Sequence, residues 1–273
     1  MKFINIICYK DNRSIVEQSD FFVKQDYPEN FGFYSKSSHT GRTVMLSEFI
    51  TVMDNAPGFN DKEILKKIFV EDNLLKKESI SGRKISFYYL KHLYGLDSEN
   101  KNFQGLLKYW KEKSPDNKIM ALLCALSRDE ALRLSSGYIL SVKAGDSADK
   151  SGLKEIVDNY YQNIYSEKVR ESMVRNLMSS WTQAGYLEGR SNKIRIIPEI
   201  SVYSFAYACY LAYLSGFRGK RIFHSPWVLV LCLSNLEIKE FIKESNRKGL
   251  MSVKKAGSVV EITFPEDLIG GTQ

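Results

Sequence analysis

Apolar positions recur along most of this chain at helical spacing. Val169, Met173, Leu177 and Trp181 fall at i, i+4, i+8 and i+12, and Val174 and Met178 widen the stripe. This predicts an amphipathic helix that stops near Gly185, a residue suited to the left-handed turn at a helix end. Tyr186 and Leu187 follow, then a polar turn over Glu188 to Asn192, then the strand-like run Lys193 to Ile197, closed by Pro198.

The same reading, taken from the N-terminus, gives more helices than strands. The opening run up to Asp11 reads as an edge strand or packed arm. Ile15, Phe21, Phe22 and Val23 suggest a short helix face; Pro28, Asn30 and Gly32 a turn; Phe31, Phe33 and Tyr34 an extended piece. Helices are predicted at 44–53, 61–75 (Ile64, Leu65, Ile68 and Phe69 inward), 102–114, 118–126, 132–142, 153–165 and 201–215. A helix after the Ser-rich turn at Ser79 and Ser81 places Ile85, Tyr88, Tyr89, Leu93 and Leu96 on its apolar face, with Arg83, Lys84 and Lys91 elsewhere. Its layout with the preceding helix is that of a helix-turn-helix, as is that of two packed helices joined by a solvated basic turn.

Two stretches combine helices with a β-hairpin in the order of a winged helix, roughly 170–198 and 225–265. In the second, Pro226 opens a helix, Ser234 and Asn235 cap the next, and Ser252–Lys254 and Val259–Phe264 flank a Gly-containing turn. The small polar run Lys143 to Asp149 reads as a linker. The expected fold is mainly α: a modular helical protein with winged-helix-like units carrying small β-hairpins. The expected domains are 1–145, with a helix-turn-helix-like unit near 61–96, and 146–273.

Composition adds a direction. Lys and Arg number 39 against 32 Asp and Glu, a net charge of +7. The excess rises from −1 over residues 1–57 to +5 over residues 166–273. A polyanionic partner follows as an expectation, and double-stranded DNA is the one that helix-and-wing units suit. The cations in position to meet phosphates are Lys76, Lys77, Arg83 and Lys84 on the N-terminal unit, and Arg175, Lys193 and Arg195 on the first winged unit. Arg218, Lys220 and Arg221 on a basic loop and Lys254 and Lys255 on the second wing complete the set. Nothing indicates base-specific readout.

The chemistry of catalysis is missing from the motifs. There is no nucleotide-binding glycine loop, nucleophile elbow or HExxH, and the four cysteines at 8, 124, 209 and 232 lack metal-ligand spacing. Cys124, Cys209 and Cys232 sit in apolar stretches, as reduced core residues do. The expectation is a cytoplasmic protein with no cofactor, no metal and no enzymatic activity. The apolar helix Tyr203–Leu214, whose aromatic part is 203–213, is too short for a membrane. His39 reads as a surface or capping residue. A protein-interaction scaffold, using that aromatic helix if exposed, and an RNA-binding protein are the alternative readings. A pocket joining His39, His92 or His224 to a carboxylate would mark an enzyme.

Asp72 to Lys77 followed by Ser79, Ser81 and a basic helix start, and later Ala184 to Leu187 with an arm ending in Arg195 and Pro198, resemble the BrxA family of BREX phage-defence systems. The helix at 44–53 matches that family's leading helix. The chain departs from the family in its N-terminal arm and in the stretch after Pro198, which holds the second hairpin. The resemblance implies a helical, DNA-binding accessory protein without catalytic activity. Its partners would be a methyltransferase, a phosphatase-like component and an ATPase.

Overall fold

The computed structural model describes the backbone of residues 6–8 and 13–15, and residues 37–56, 58–59, 61–111, 114–257 and 259–269. The features expected at Phe21–Val23 and Pro28–Tyr34 lie outside these residues. The fold is mainly α. Its helices are α1 (Leu46–Asn55), α2 (Lys62–Val70), α3 (Ile80–Tyr94), α4 (Lys101–Tyr109), α5 (Asn117–Leu126), α6 (Glu130–Ser141), α7 (Lys150–Tyr161), α8 (Glu167–Gln183), α9 (Val202–Leu214), α10 (Pro226–Leu229), α11 (Asn235–Arg247) and α12 (Glu266–Ile269). Short strands pair as antiparallel hairpins: β1 (Ile6–Cys8) with β2 (Arg13–Ile15), β3 (Leu187–Glu188) with β4 (Ile194–Arg195), and β5 (Ser252–Ala256) with β6 (Val259–Thr263).

The helix boundaries follow local chemistry. Asp61, Ser79, Asn100, Asp129, Asp149, Ser201 and Ser234 each accept a backbone N–H of the first turn through the side chain. Helix α11 has a full capping box, in which Glu237 returns the bond to the Ser234 N–H. Gly185 takes φ +81° where α8 ends.

Helix α9 is the centre. It is apolar all round, and residues 204–212 are buried. Helices α4, α5, α10 and α11 surround it. The many buried tyrosines fit because their hydroxyls find acceptors: Tyr94 donates to the Val44 carbonyl, Tyr109 to Leu250, Tyr186 to Val230, Tyr207 to Asn102 and Tyr210 to Leu268, and Tyr161 to the Glu130 carboxylate. Asp116, buried before α5, accepts the N–H and hydroxyl groups of both Ser201 and Ser204. A carboxylate at the positive end of α9 thus ties the two halves of the chain.

One buried cluster draws on residues from Val44 to Leu268, on both sides of residue 145. Two expectations change. The run 143–149 is a third edge to the β3–β4 hairpin: Gly145 N–H donates to Arg195 O, Ala148 N–H to Lys193 O, and Arg195 N–H to Asp146 O. The inward face of α3 is Ser86, Leu90, Leu93 and Tyr94, with Phe87 against Phe69, while Ile85 and Tyr88 face solvent, as Ile64 does on α2. Cys124, Cys209 and Cys232 are buried thiols outside any disulfide.

Candidate nucleic-acid interface

The C-terminal hairpin brings together cations that are far apart in sequence. Arg218 and Gly219 meet Lys254, Lys255 and Val259 to Ile262 around an open groove of about 570 Å³. The loop reaches the hairpin because Gly219 has no side chain. A Cβ there would sit 3.1 Å from the Val260 carbonyl oxygen, and its φ is +55°. The Arg218 guanidinium lies 3.9 Å above the Tyr213 ring and donates to the Tyr213 and Phe217 carbonyls, which fixes its position while leaving it exposed. Lys220 and Arg221 continue from it on a 3-10 turn, Gly219–His224, both exposed.

The strand register divides the two lysines. Lys254 pairs across the ladder with Glu261, whereas Lys255 pairs with Val260 on the face that carries Val253 and Ile262. Both are exposed. Ahead of the hairpin, α11 shows an exposed stripe that the sequence reading missed: Lys239, Lys243 and Arg247 at i, i+4 and i+8, with Leu236 66% exposed beside it. The spacing is legible in the sequence, although Glu237, Glu240 and Glu244 on the same helix offset its charge. Asn246 accepts the Val253 N–H, anchoring the hairpin to the end of this helix.

The first winged unit needs a correction. Arg195 is 3% exposed. Its guanidinium donates to the Ile139, Tyr186 and Ile196 carbonyls and to the Cys232 sulfur, and stacks 5.1 Å from the Tyr186 ring centroid. The Ile139 carbonyl belongs to the last turn of α6, where a cation is favoured. Arg195 is therefore a core brace and not a phosphate contact. Lys193 is partly buried and donates to the Gly189 carbonyl at 2.6 Å. Burial and then the nearby Lys150 charge push its ammonium below the usual lysine range. Arg175 is exposed on α8, and Arg190, passed over in the sequence, is exposed at the hairpin turn.

The N-terminal unit divides similarly. Arg83 donates to the carbonyls of Val70 and Lys77, closing the end of α2. Lys77 pairs with Glu48 at 3.1 Å. Lys76 and Lys84 are exposed.

His39 is not at the surface. It is fully buried, with Nδ1 3.1 Å from the Asp129 carboxylate and Nε2 2.9 Å from the Ser180 hydroxyl. Serine, histidine and aspartate in this order invite comparison with a hydrolase triad. The hydrogen bonds assign another role. Ser180 Oγ donates to the Asn176 carbonyl at 2.8 Å and accepts the Val44 N–H at 2.8 Å. The His39 ring bridges this hydroxyl and the Asp129 carboxylate. The three side chains form a solvent-excluded network. Burial alone would push Asp129 up, but the His39 charge and hydrogen bonds from His39, Leu132 and Ser37 hold it well below the usual carboxylate range.

Among the described residues, no group of three His, Cys, Asp or Glu side chains could hold a metal ion, and no helix is long and apolar enough to cross a membrane. The aromatic helix offered as a scaffold surface is buried as α9. Neither the models of known protein families nor the curated proteins give a match to this chain.

Proposed function

We propose that the protein binds double-stranded DNA through backbone phosphates, as a non-catalytic accessory factor of a BREX-like phage-defence system. The convergence of Arg218, Lys254 and Lys255 on one open groove, with Lys220 and Arg221 on the adjoining turn, is the observation that carries the DNA reading. A helix followed by a β-hairpin bearing cations is a common way of meeting a duplex backbone. The defence context rests on the resemblance of the Asp72–Lys77 and Ala184–Leu187 segments to the BrxA family, whose methyltransferase, phosphatase-like and ATPase components are the expected partners.

The test is fluorescence anisotropy on a duplex of about 40 base pairs across a salt series, with a slope of about −0.9 per phosphate neutralised. The triple variant R218E/K254E/K255E is expected to weaken binding on every sequence and to flatten the slope by about three units. Failure of the wild-type protein to bind at low salt, or an unchanged slope in the triple variant, rejects this interface.

A further inference from the structure

The outward face of α3 combines features found nowhere else among the described residues. Tyr88 is 63% exposed, Ile80 60% and Ile85 40%. The Tyr88 ring meets Tyr89 edge-on, centroids 5.4 Å apart, and lies nearly parallel to His92 at 6.2 Å. The Arg42 guanidinium sits 5.5 Å over the Tyr89 ring. Ile80, Lys84, Tyr88 and Lys91 fall at i, i+4, i+8 and i+11, so one stripe alternates apolar and cationic groups. Lys84 and Lys91 are exposed. The helix carries Arg83, Lys84, Lys91 and His92 and not one Asp or Glu.

We propose that this face binds single-stranded nucleic acid, one base stacking on Tyr88 while Lys84 and Lys91 take the flanking phosphates. Buried tyrosines such as Tyr94, Tyr109, Tyr186, Tyr207 and Tyr210 spend their hydroxyls on carbonyls and their rings on packing; Tyr88 instead offers its ring to solvent. Its neighbours Tyr89 and His92 stiffen it, so little freedom is lost when a base settles on it. A duplex keeps its bases stacked on one another and has none to offer a lone ring on a convex helix. A single strand has both the exposed base and the charge. The absence of carboxylates on α3 removes the repulsion that an anionic chain would otherwise meet. This site shares no residue with the Arg218 groove, so it stands or falls independently of the duplex reading.

The experiment titrates the full chain against labelled oligo-dT and oligo-rU of about 15 nucleotides, with the duplex as a parallel ligand. Y88A is expected to weaken single-strand binding about tenfold, and Y88F, which keeps the ring, to stay close to wild type. K84E should lower the single-strand salt slope by about one unit. Duplex affinity should not move in Y88A. Tyr88 is exposed, so its removal leaves the fold intact, and circular dichroism checks this. A preference between the two oligomers tells DNA from RNA, and either supports the proposal. Equal binding by wild type and Y88A, or no single-strand binding at low salt, overturns it. Loss of self-association or of protein capture in Y88A with oligomer binding unaltered also overturns it, and marks the face as protein-docking.

Discussion

Asp129 gathers four donors from distant parts of the chain: the Ser37 hydroxyl, the Ser38 and Leu132 N–H groups and the His39 ring. It caps α6 and holds the segment before α1 at the same time. Asp129→Asn keeps the size and the cap but removes the buried carboxylate that these four groups face, so it should cost about 3 kcal/mol in urea denaturation. Because the folded carboxyl lies below its unfolded value, its contribution is present above about pH 4 and is lost as pH falls through the folded value. Wild-type stability should therefore decline on acidification, while the variant, already lacking this contribution, should decline less. Parallel pH profiles would refute the assignment. At this scale the sequence misleads in a consistent way. His39 lies in a polar run and Arg195 among isoleucines, yet both turn out buried because partners far along the chain take them in: Ser180 and Asp129 for one, the Ile139 carbonyl and Cys232 for the other.

Helix α11 shows what a sequence does reveal. Ser234 and Glu237 stand three apart before an amphipathic run, and the structure has the reciprocal capping box that this spacing allows. Few of its side chains are buried (Ile238 and Ser245), so the cap matters for its stability. Ser234→Ala should cost about 1 kcal/mol in urea denaturation and speed amide exchange across α11 more than across α9. An unchanged exchange pattern would mean that packing alone holds the helix. Helix α3 shows the opposite. Its apolar residues are dense enough to draw two stripes, one through Ile85, Tyr88 and Tyr89 and one through Ser86, Leu90 and Leu93. Periodicity alone cannot choose between them; the Phe69–Phe87 contact with α2 does. The helix-and-hairpin order was legible, since turn chemistry and strand-forming residues are local. The grouping of Arg218 with Lys254 and Lys255 was not, since it depends on the close approach of Gly219 to β6.

The whole molecule is tied across the stretch that composition suggests as a linker. Asp116 binds Ser201 and Ser204, Tyr109 reaches the Leu250 carbonyl, Lys108 pairs with Asp267 at 2.6 Å, and α4 and α5 both pack on α9. A small polar run looks like a linker, yet Gly145, Asp146 and Ala148 are held through their backbone and the Ala148 side chain is buried in the core. A continuous core makes one cooperative unit, so urea unfolding followed by far-UV dichroism and by tryptophan fluorescence should give one coincident transition. The variants can place the coupling. Asp129→Asn perturbs the first half, and Trp227→Ala, which empties a fully buried site and removes the bond to Ser215, should cost about 3–5 kcal/mol in the second. Both should move the same single transition. Two separated transitions, each shifted by only one of the variants, would mean that the halves fold independently and that the contacts around α9 couple them weakly. A shared transition carries a consequence for the interfaces: the α3 face and the Arg218 groove are then held on one rigid body, and a nucleic acid engaging both must follow the surface between them.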